Sequence, residues 1–253
     1  IFYNQSLDFV NTQYMIGSSL MVTPVLKEGV NYTLAYFPQS AWYELREGAL
    51  IRASNQTGAV LNVTSHLNET VPTFIRGGHL VAVQEVDNVL RTDDLNSNFL
   101  LLLALQYSNT VGTLRNYYAS GPMIALQDLN DSNIVTKCFS YNCVYNVMAN
   151  FSYTPGGSYA LALRFTLPNN NIGNEQVYVS GIRISGDWTS SQTEEFALHA
   201  TQAVDENGES VDIEMSQVSS ANSFWINIGS PVSIYPGRTL TFSGKMPSTI
   251  IDI

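Results

Sequence analysis

The chain has 253 residues, 45% of them hydrophobic and 13% charged, with a net charge of −10. That composition excludes a disordered chain, and at this length a core can form without a disulfide scaffold. Eleven Lys and Arg against 21 Asp and Glu argue against nucleic-acid binding, which draws its affinity from cations on phosphates. No apolar run reaches the roughly 18 residues that a membrane-crossing helix needs.

The sequence opens on Ile1 with no charged n-region or signal core, and reads as a mature product or a piece of a longer chain. Asp8 to Gly17 has room for a helical turn or two. A first strand set is expected from about Leu20 to Gln84. The polar stretch Val86 to Asn98 is the expected boundary to a second set, from about Phe99 to Phe242. Phe99 to Leu105 is continuously apolar, as in a strand buried on both faces. Apolar residues then recur with a period of two in Ala160–Leu167, Val177–Ile184, Phe196–Ala200, Val211–Met215, Phe224–Ile228, Val232–Tyr235 and Thr239–Phe242. Turn signals separate them: Gly156-Gly157 after Pro155, Asn207-Gly208 as a type I′ hairpin, and Pro236-Gly237. Short strands at such intervals predict an all-β chain of antiparallel sandwich type, with no long capped helix.

Chemistry-bearing residues are sparse. Paired-acid catalysis by a nucleophile and an acid/base needs two carboxylates about 5–5.5 Å apart. The doublets Asp93-Asp94 and Glu194-Glu195 would point to opposite faces of a strand, so they read as solvated turns. Asp187 beside Trp188 reads as a turn with a packed ring. The acidic run Asp205 to Asp212 lacks calcium-loop spacing and reads as a hairpin. His66, His79 and His199 have no partner at metal-ligand spacing. No nucleophile elbow or phosphate loop occurs. No catalytic residue, metal or cofactor is expected within this chain.

Cys138 and Cys143 read as a small-loop disulfide in a secretory protein. Sequons head at Asn4, Asn31, Asn55, Asn62, Asn68, Asn130 and Asn150. With the acidic composition they favour a secretory history and an extracellular or lysosome-like compartment. Tyr117-Tyr118, Trp188 and Trp225 are candidate sugar-stacking platforms, with core packing as the plainer reading for each.

Three ordered blocks carry a family resemblance. Gln13-Tyr14-Met15-Ile16-Gly17-Ser18-Ser19-Leu20-Met21-Val22-Thr23-Pro24-Val25-Leu26 resembles the segment that leaves the catalytic barrel in family-31 glycoside hydrolases of the α-glucosidase type. Ala35-Tyr36-Phe37-Pro38 with Trp42-Tyr43-Glu44-Leu45 is similar to the next block. Pro72-Thr73-Phe74-Ile75-Arg76-Gly77-Gly78-His79-Leu80-Val81 is similar to the third. The family's Y-x-D-D-G block falls at Tyr117-Tyr118-Ala119-Ser120-Gly121, where this chain has no paired acids.

The resemblance implies a short barrel remnant (1–19), a proximal β-sandwich (20–92) and a distal β-sandwich (93–253). It places the catalytic carboxylates upstream, outside this chain. The implied role is to pack on and support a barrel, in the same polypeptide or a separated chain, that hydrolyses terminal α-glucosyl residues of an oligosaccharide or α-glucan. Pro24, Phe37, Pro38, Trp42, Tyr43, Arg76, Gly77 and Gly78 are then structural motif residues. Pro24 and Pro38 suit strand ends, and Gly77-Gly78 a close backbone approach. Phe37, Trp42 and Tyr43 suit a face against a neighbouring domain, exposed when that neighbour is absent. Two other readings stay open: a glycan-binding or adhesion module without hydrolase activity, and a catalytically dead scaffold homologue.

Overall fold

The computed structural model describes residues 11–65, 70–84, 98–124, 144–154, 158–166, 177–198, 202–235 and 237–245. Its elements are β1 (Tyr14–Ile16), β2 (Leu20–Val22), β3 (Tyr32–Phe37), β4 (Trp42–Glu44), β5 (Leu50–Arg52), β6 (Ala59–Thr64), β7 (Thr73–Arg76), β8 (His79–Gln84), β9 (Asn98–Ala104) and β10 (Gln106–Val111). They continue with β11 (Leu114–Ile124), β12 (Val144–Tyr153), β13 (Ser158–Thr166), β14 (Val177–Ser185), α1 (Ser190–Leu198), β15 (Gln202–Asp205), β16 (Ser210–Val211), β17 (Ile213–Ser220), β18 (Ser223–Ile234) and β19 (Thr239–Lys245).

Three sheets result. One runs β1-β2-β7-β4-β5, a second is the hairpin β3-β6, and the large third runs β16-β15-β19-β13-β12-β11-β8-β9-β14-β18-β17, with β10 on β11. The large sheet has two arms joined by a single parallel bridge, Ser120 to His79. Gly121 makes that junction possible, because a Cβ there would lie 2.1 Å from the Leu80 carbonyl oxygen.

Period-two burial explains how these sheets stack. In β9, Phe99, Leu101 and Leu103 join the largest core, with Val147, Ala149, Phe151, Leu161, Leu163, Phe165, Ile182, Ile184, Phe224, Ile226, Leu240 and Phe242 from both arms. The alternate residues Leu102 and Ala104 face the other way, against Ala41, Tyr43 and Ile75 of the five-stranded sheet. That sheet's far side packs Met21, Trp42 and Phe74 on Ala35, Phe37 and Val63 of the hairpin. The continuous apolar run is therefore a strand between two cores, as its sequence predicts.

Several expectations change. Within Asp8–Gly17, residues 14–16 form β1, not helix, and residues 8–10 lie outside the described set. Phe196–Ala200 is not a strand: Phe196 to Leu198 close α1, and 199–200 lie outside the described residues. The reason is a capping box: the Thr189 amide donates to Gln192 Oε1 at 3.0 Å and the Gln192 amide to Thr189 Oγ1 at 3.4 Å. Thr193, Phe196 and Ala197 then share one buried helix face. Phe196 enters a cage of Phe151, Tyr153, Tyr159, Trp188 and Phe224, with ring centroids 5.1–5.9 Å away. Phe224–Ile228 and Val232–Tyr235 merge into one long strand, β18, which ends at Ile234.

The acidic run forms the predicted hairpin, but its turn is shifted by one residue. The Gly208 amide donates to the Asp205 carbonyl, so Glu206 and Asn207 occupy the centre, and Gly208 takes the left-handed position at φ 80°. Asp205 imposes this, because its Oδ1 accepts the amides of both Asn207 and Glu209 while Arg238 holds its Oδ2 at 3.4 Å. Phe37, Trp42 and Tyr43 are not a face awaiting a neighbour. All three are fully buried. Phe37 meets Trp42 and Phe74 edge-on, and Tyr43 donates to the Leu105 carbonyl at 2.7 Å.

The β4–β5 turn is clamped to the large sheet by a buried cation. Arg183, on β14 and only 2% exposed, donates to the carbonyls of Arg46 at 2.5 Å and Leu45 at 2.6 Å. Its guanidinium lies 5.7 Å from the Trp225 ring centroid. Burial pushes its pKa down to about 10, against the pull of Glu44 and Glu47, so it stays charged at neutral pH. Gly48 is required beside it, at φ 74°, since a Cβ there would lie 2.5 Å from the hydroxyls of Ser185 and Ser223. Arg183→Met is predicted to cost about 2–4 kcal/mol through loss of two charge-assisted hydrogen bonds. Urea unfolding measures it, and an unchanged midpoint would show that the clamp contributes nothing.

Candidate functional site

Where β7 leaves the small sheet and β8 enters the large one, Gly77-Gly78 forms the wall of an open groove of about 550 Å³. Its lining comes from four separate places: Gln39, Ser40 and Ser54 from the loops flanking β4 and β5; Arg76 to His79; Gln106 and Tyr107 on β10; Tyr118 and Ser120 on β11. The register sets this grouping. Gln106 pairs with Tyr118, Tyr107 with Tyr117, and Ser120 bridges to His79.

Both glycines are needed here. A Cβ on Gly77 would lie 2.6 Å from Gln106 Oε1 and 2.7 Å from the Ala41 Cβ. Gly78 has φ 83°, and a Cβ on it would press the Tyr118 ring at 3.0 Å. The Gly77 amide donates to the Ala41 carbonyl at 2.7 Å and the Gly78 amide to the Ala104 carbonyl at 2.8 Å, so the turn ties β4's approach to β9's end. Gln106 Oε1 accepts the Ala41 amide at 3.3 Å, and the His79 Nδ1 lies 3.2 Å from the Gly77 carbonyl.

The aromatic character is split by burial. Tyr117 is in the core, while Tyr118 is 45% and Tyr107 39% exposed on the groove. Trp188 is buried and Trp225 half-buried beneath the small sheet, so neither offers an open ring face. Tyr107 meets Tyr117 edge-on at 5.6 Å and fixes its own hydroxyl 2.8 Å from Thr110 Oγ1. Behind Ser54 sits Asp187, half-buried, its carboxyl pKa raised by burial and partly restored by a hydrogen bond from the Ser54 backbone amide. Among the described residues no carboxylate lines the groove itself.

The remaining predicted residues fall elsewhere. Pro24 and Pro38 follow the ends of β2 and β3, and the Pro38 carbonyl accepts the Trp42 indole N–H at 3.0 Å. Asn31, Asn55, Asn62 and Asn150 are exposed. Asn4, Asn68, Asn130, Cys138, Cys143, His66, His199, Asp93 and Asp94 lie outside the described residues. Among the described residues, no three His, Cys, Asp or Glu side chains converge as a metal site, and no helix is long and apolar enough to cross a membrane. The Tyr117–Gly121 block is the middle of β11. Gln39, Ser54, Gln106 and Tyr107 were not marked by any motif.

Layered sheets with a polar groove at their seam define a β-rich class of fold. The profile described as "Glycosyl hydrolase family 31 C-terminal domain" matches residues 2–81. The lysosomal acid alpha-glucosidase of Tetrahymena pyriformis is 33% identical over 148 residues, 53% of this chain and 15% of that protein. The alpha-glucosidase of Schizosaccharomyces pombe is 28% identical over 207 residues, 79% of this chain and 20% of that protein. Among solved structures, a family-31 dextranase of Flavobacterium johnsoniae in complex with glucose superposes with a TM-score of 0.55 at 11% identity, over 92% of this chain and 27% of that one. The glucosidase II alpha subunit gives 0.53 at 14%, over 93% and 24%. The chain thus spans about a fifth or less of these curated relatives. Residues 2–81 are thus similar to the C-terminal domain of glycoside hydrolase family 31, and the chain as a whole is similar to part of the α-glucosidases.

Gly78→Ala is predicted to destabilise the protein by about 1–3 kcal/mol, from left-handed strain plus displacement of Tyr118. Gly17, at φ 61° with open space around it, supplies the comparison. Gly17→Ala should cost only the strain, about 1 kcal/mol. Equal losses in thermal unfolding would mean that the groove wall yields freely.

Proposed function

We propose that this chain supports an upstream catalytic barrel that hydrolyses terminal α-glucosyl residues by double displacement, with both carboxylates on the barrel. The partition into a barrel remnant (1–19) and two β-sandwiches (20–92 and 93–253) belongs to the same reading. In it β8 reaches across, since its hydrogen bonds lie in the large sheet. The secretory compartment, the Cys138–Cys143 disulfide and glycosylation of the sequons are likewise proposals.

The observation that carries the supporting role is an apolar strip on the small sheet's edge and the hairpin. Tyr14, Met15 and Ile16 of β1 are 40–55% exposed, beside Tyr32 at 46% and Leu34 at 56% on β3 and Leu26 at 70%. Thr12 and Gln13 hold this edge to β3 through the Leu34 carbonyl and the Tyr36 backbone. An open edge strand with adjoining large apolar side chains is what a docked domain covers. Asn62 pairs directly across from Leu34 on the same hairpin face, so with a barrel seated on Leu34 the proposed glycosylation falls on other sequons and not on Asn62.

The test uses the whole polypeptide. Ile16→Asp with Leu34→Asp should lower its melting temperature and its turnover of a fluorogenic α-glucoside, at a stability cost of about 2–4 kcal/mol from two side chains that docking would bury. Unchanged melting and turnover would overturn the docking face. A wild-type protein without α-glucosidase activity would overturn the proposed reaction.

A further inference from the structure

The groove beside Gly77-Gly78 has features that a structural seam does not need. A seam would close over its aromatic rings. Here Tyr118 stays open on the outer face of β11, while Tyr117 next to it points to the opposite face and is buried in the core. The Tyr118 ring is set in place from behind by Gly78, which leaves no room for a side chain. The same groove is lined by the amides of Gln39 and Gln106, the hydroxyls of Ser40, Ser54 and Ser120, His79 and Arg76.

We infer that this groove is a binding site for a neutral saccharide, with the Tyr118 ring as its stacking platform. The chemistry selects that class. Sugar rings present apolar C–H faces that lie on aromatic rings, and hydroxyls that both donate and accept; amide and hydroxyl side chains answer both demands. An anionic ligand would need several cations in a chain of net charge −10, and the lining offers one Arg. An apolar ligand would meet too many polar groups to desolvate. A groove of about 550 Å³ lies within the range of small-ligand sites. Tyr118 also pairs across β11–β12 with Asn150, so the two side chains share the outer face of the large sheet, and the site requires that Asn150 carry no glycan.

The inference goes beyond the supporting role and stands whether or not a barrel is present. Its test is calorimetric titration of the whole protein with maltotetraose, with 1-deoxynojirimycin in excess to fill any α-glucosidase pocket. Saturable binding is expected to remain. Tyr118→Ala should weaken it about tenfold, and Tyr118→Phe, which keeps the ring, by no more than about threefold. Thermal melting checks that the variants fold; if Tyr118→Ala does not, Tyr118→Leu, which keeps the bulk without the ring, takes its place with the same expectation. No saturable binding by the wild type would overturn the site, as would equal affinity in all variants or displacement by inorganic phosphate. Loss of α-glucosidase turnover, by contrast, would bear only on the proposed hydrolase role.

Discussion

The arrangement of the molecule depends on β9 being buried on both faces. Phe99, Leu101 and Leu103 belong to the core of the large sheet, while Leu102 and Ala104 belong to the core beneath the small one. A strand of this kind cannot be covered by one sheet, so it holds two layers at a fixed spacing and register. Slipping it by one residue would exchange the two apolar sets and mismatch both cores. The polar bonds across this seam follow the packing: Tyr43 reaches the Leu105 carbonyl, and Arg183 reaches the turn carbonyls of Leu45 and Arg46. Each polar bond is worth little by itself, but each would leave a poorly solvated group without a partner if it were lost.

This seam also builds the groove. The chain must pass from the small sheet to the large one between β7 and β8, and it does so in the two glycines of the R-G-G block. Their amides bond to Ala41 and Ala104, one on each side. Because the two sheets diverge from that point, the crossing leaves a concavity whose walls are strand ends and whose floor is polar. The fold therefore accounts for both the glycines and the exposed tyrosines beside them.

Much of the fold was legible. Period-two patterning marked β13, β14 and β19, the continuous run marked β9, and the motif blocks marked the strand ends at Pro24 and Pro38. What failed did so for local reasons. Phe196-Ala197-Leu198 alternates too briefly to separate strand from helix, and the Thr189-x-x-Gln192 box upstream was the deciding signal. Asn207-Gly208 looked like a two-residue turn, but the Asp205 carboxylate took two amides and moved the turn by one residue. The site was harder to read. Arg76, Gly77 and Gly78 stood out as a motif, whereas Gln39, Ser54, Gln106 and Tyr107 carry no sequence signature, since they come together only through strand register.

The sequence by itself determined the β-rich class and the family blocks, because periodicity and short motifs are local properties. Only the tertiary structure decided which aromatics are inside. Phe37, Trp42 and Tyr43 look the same in the sequence as Tyr107 and Tyr118, with apolar bodies and mostly polar tips. The first three fill the spaces between three layers, and the last two lie past the line where those layers part. Burial is a property of the stacked sheets, and no single strand contains it.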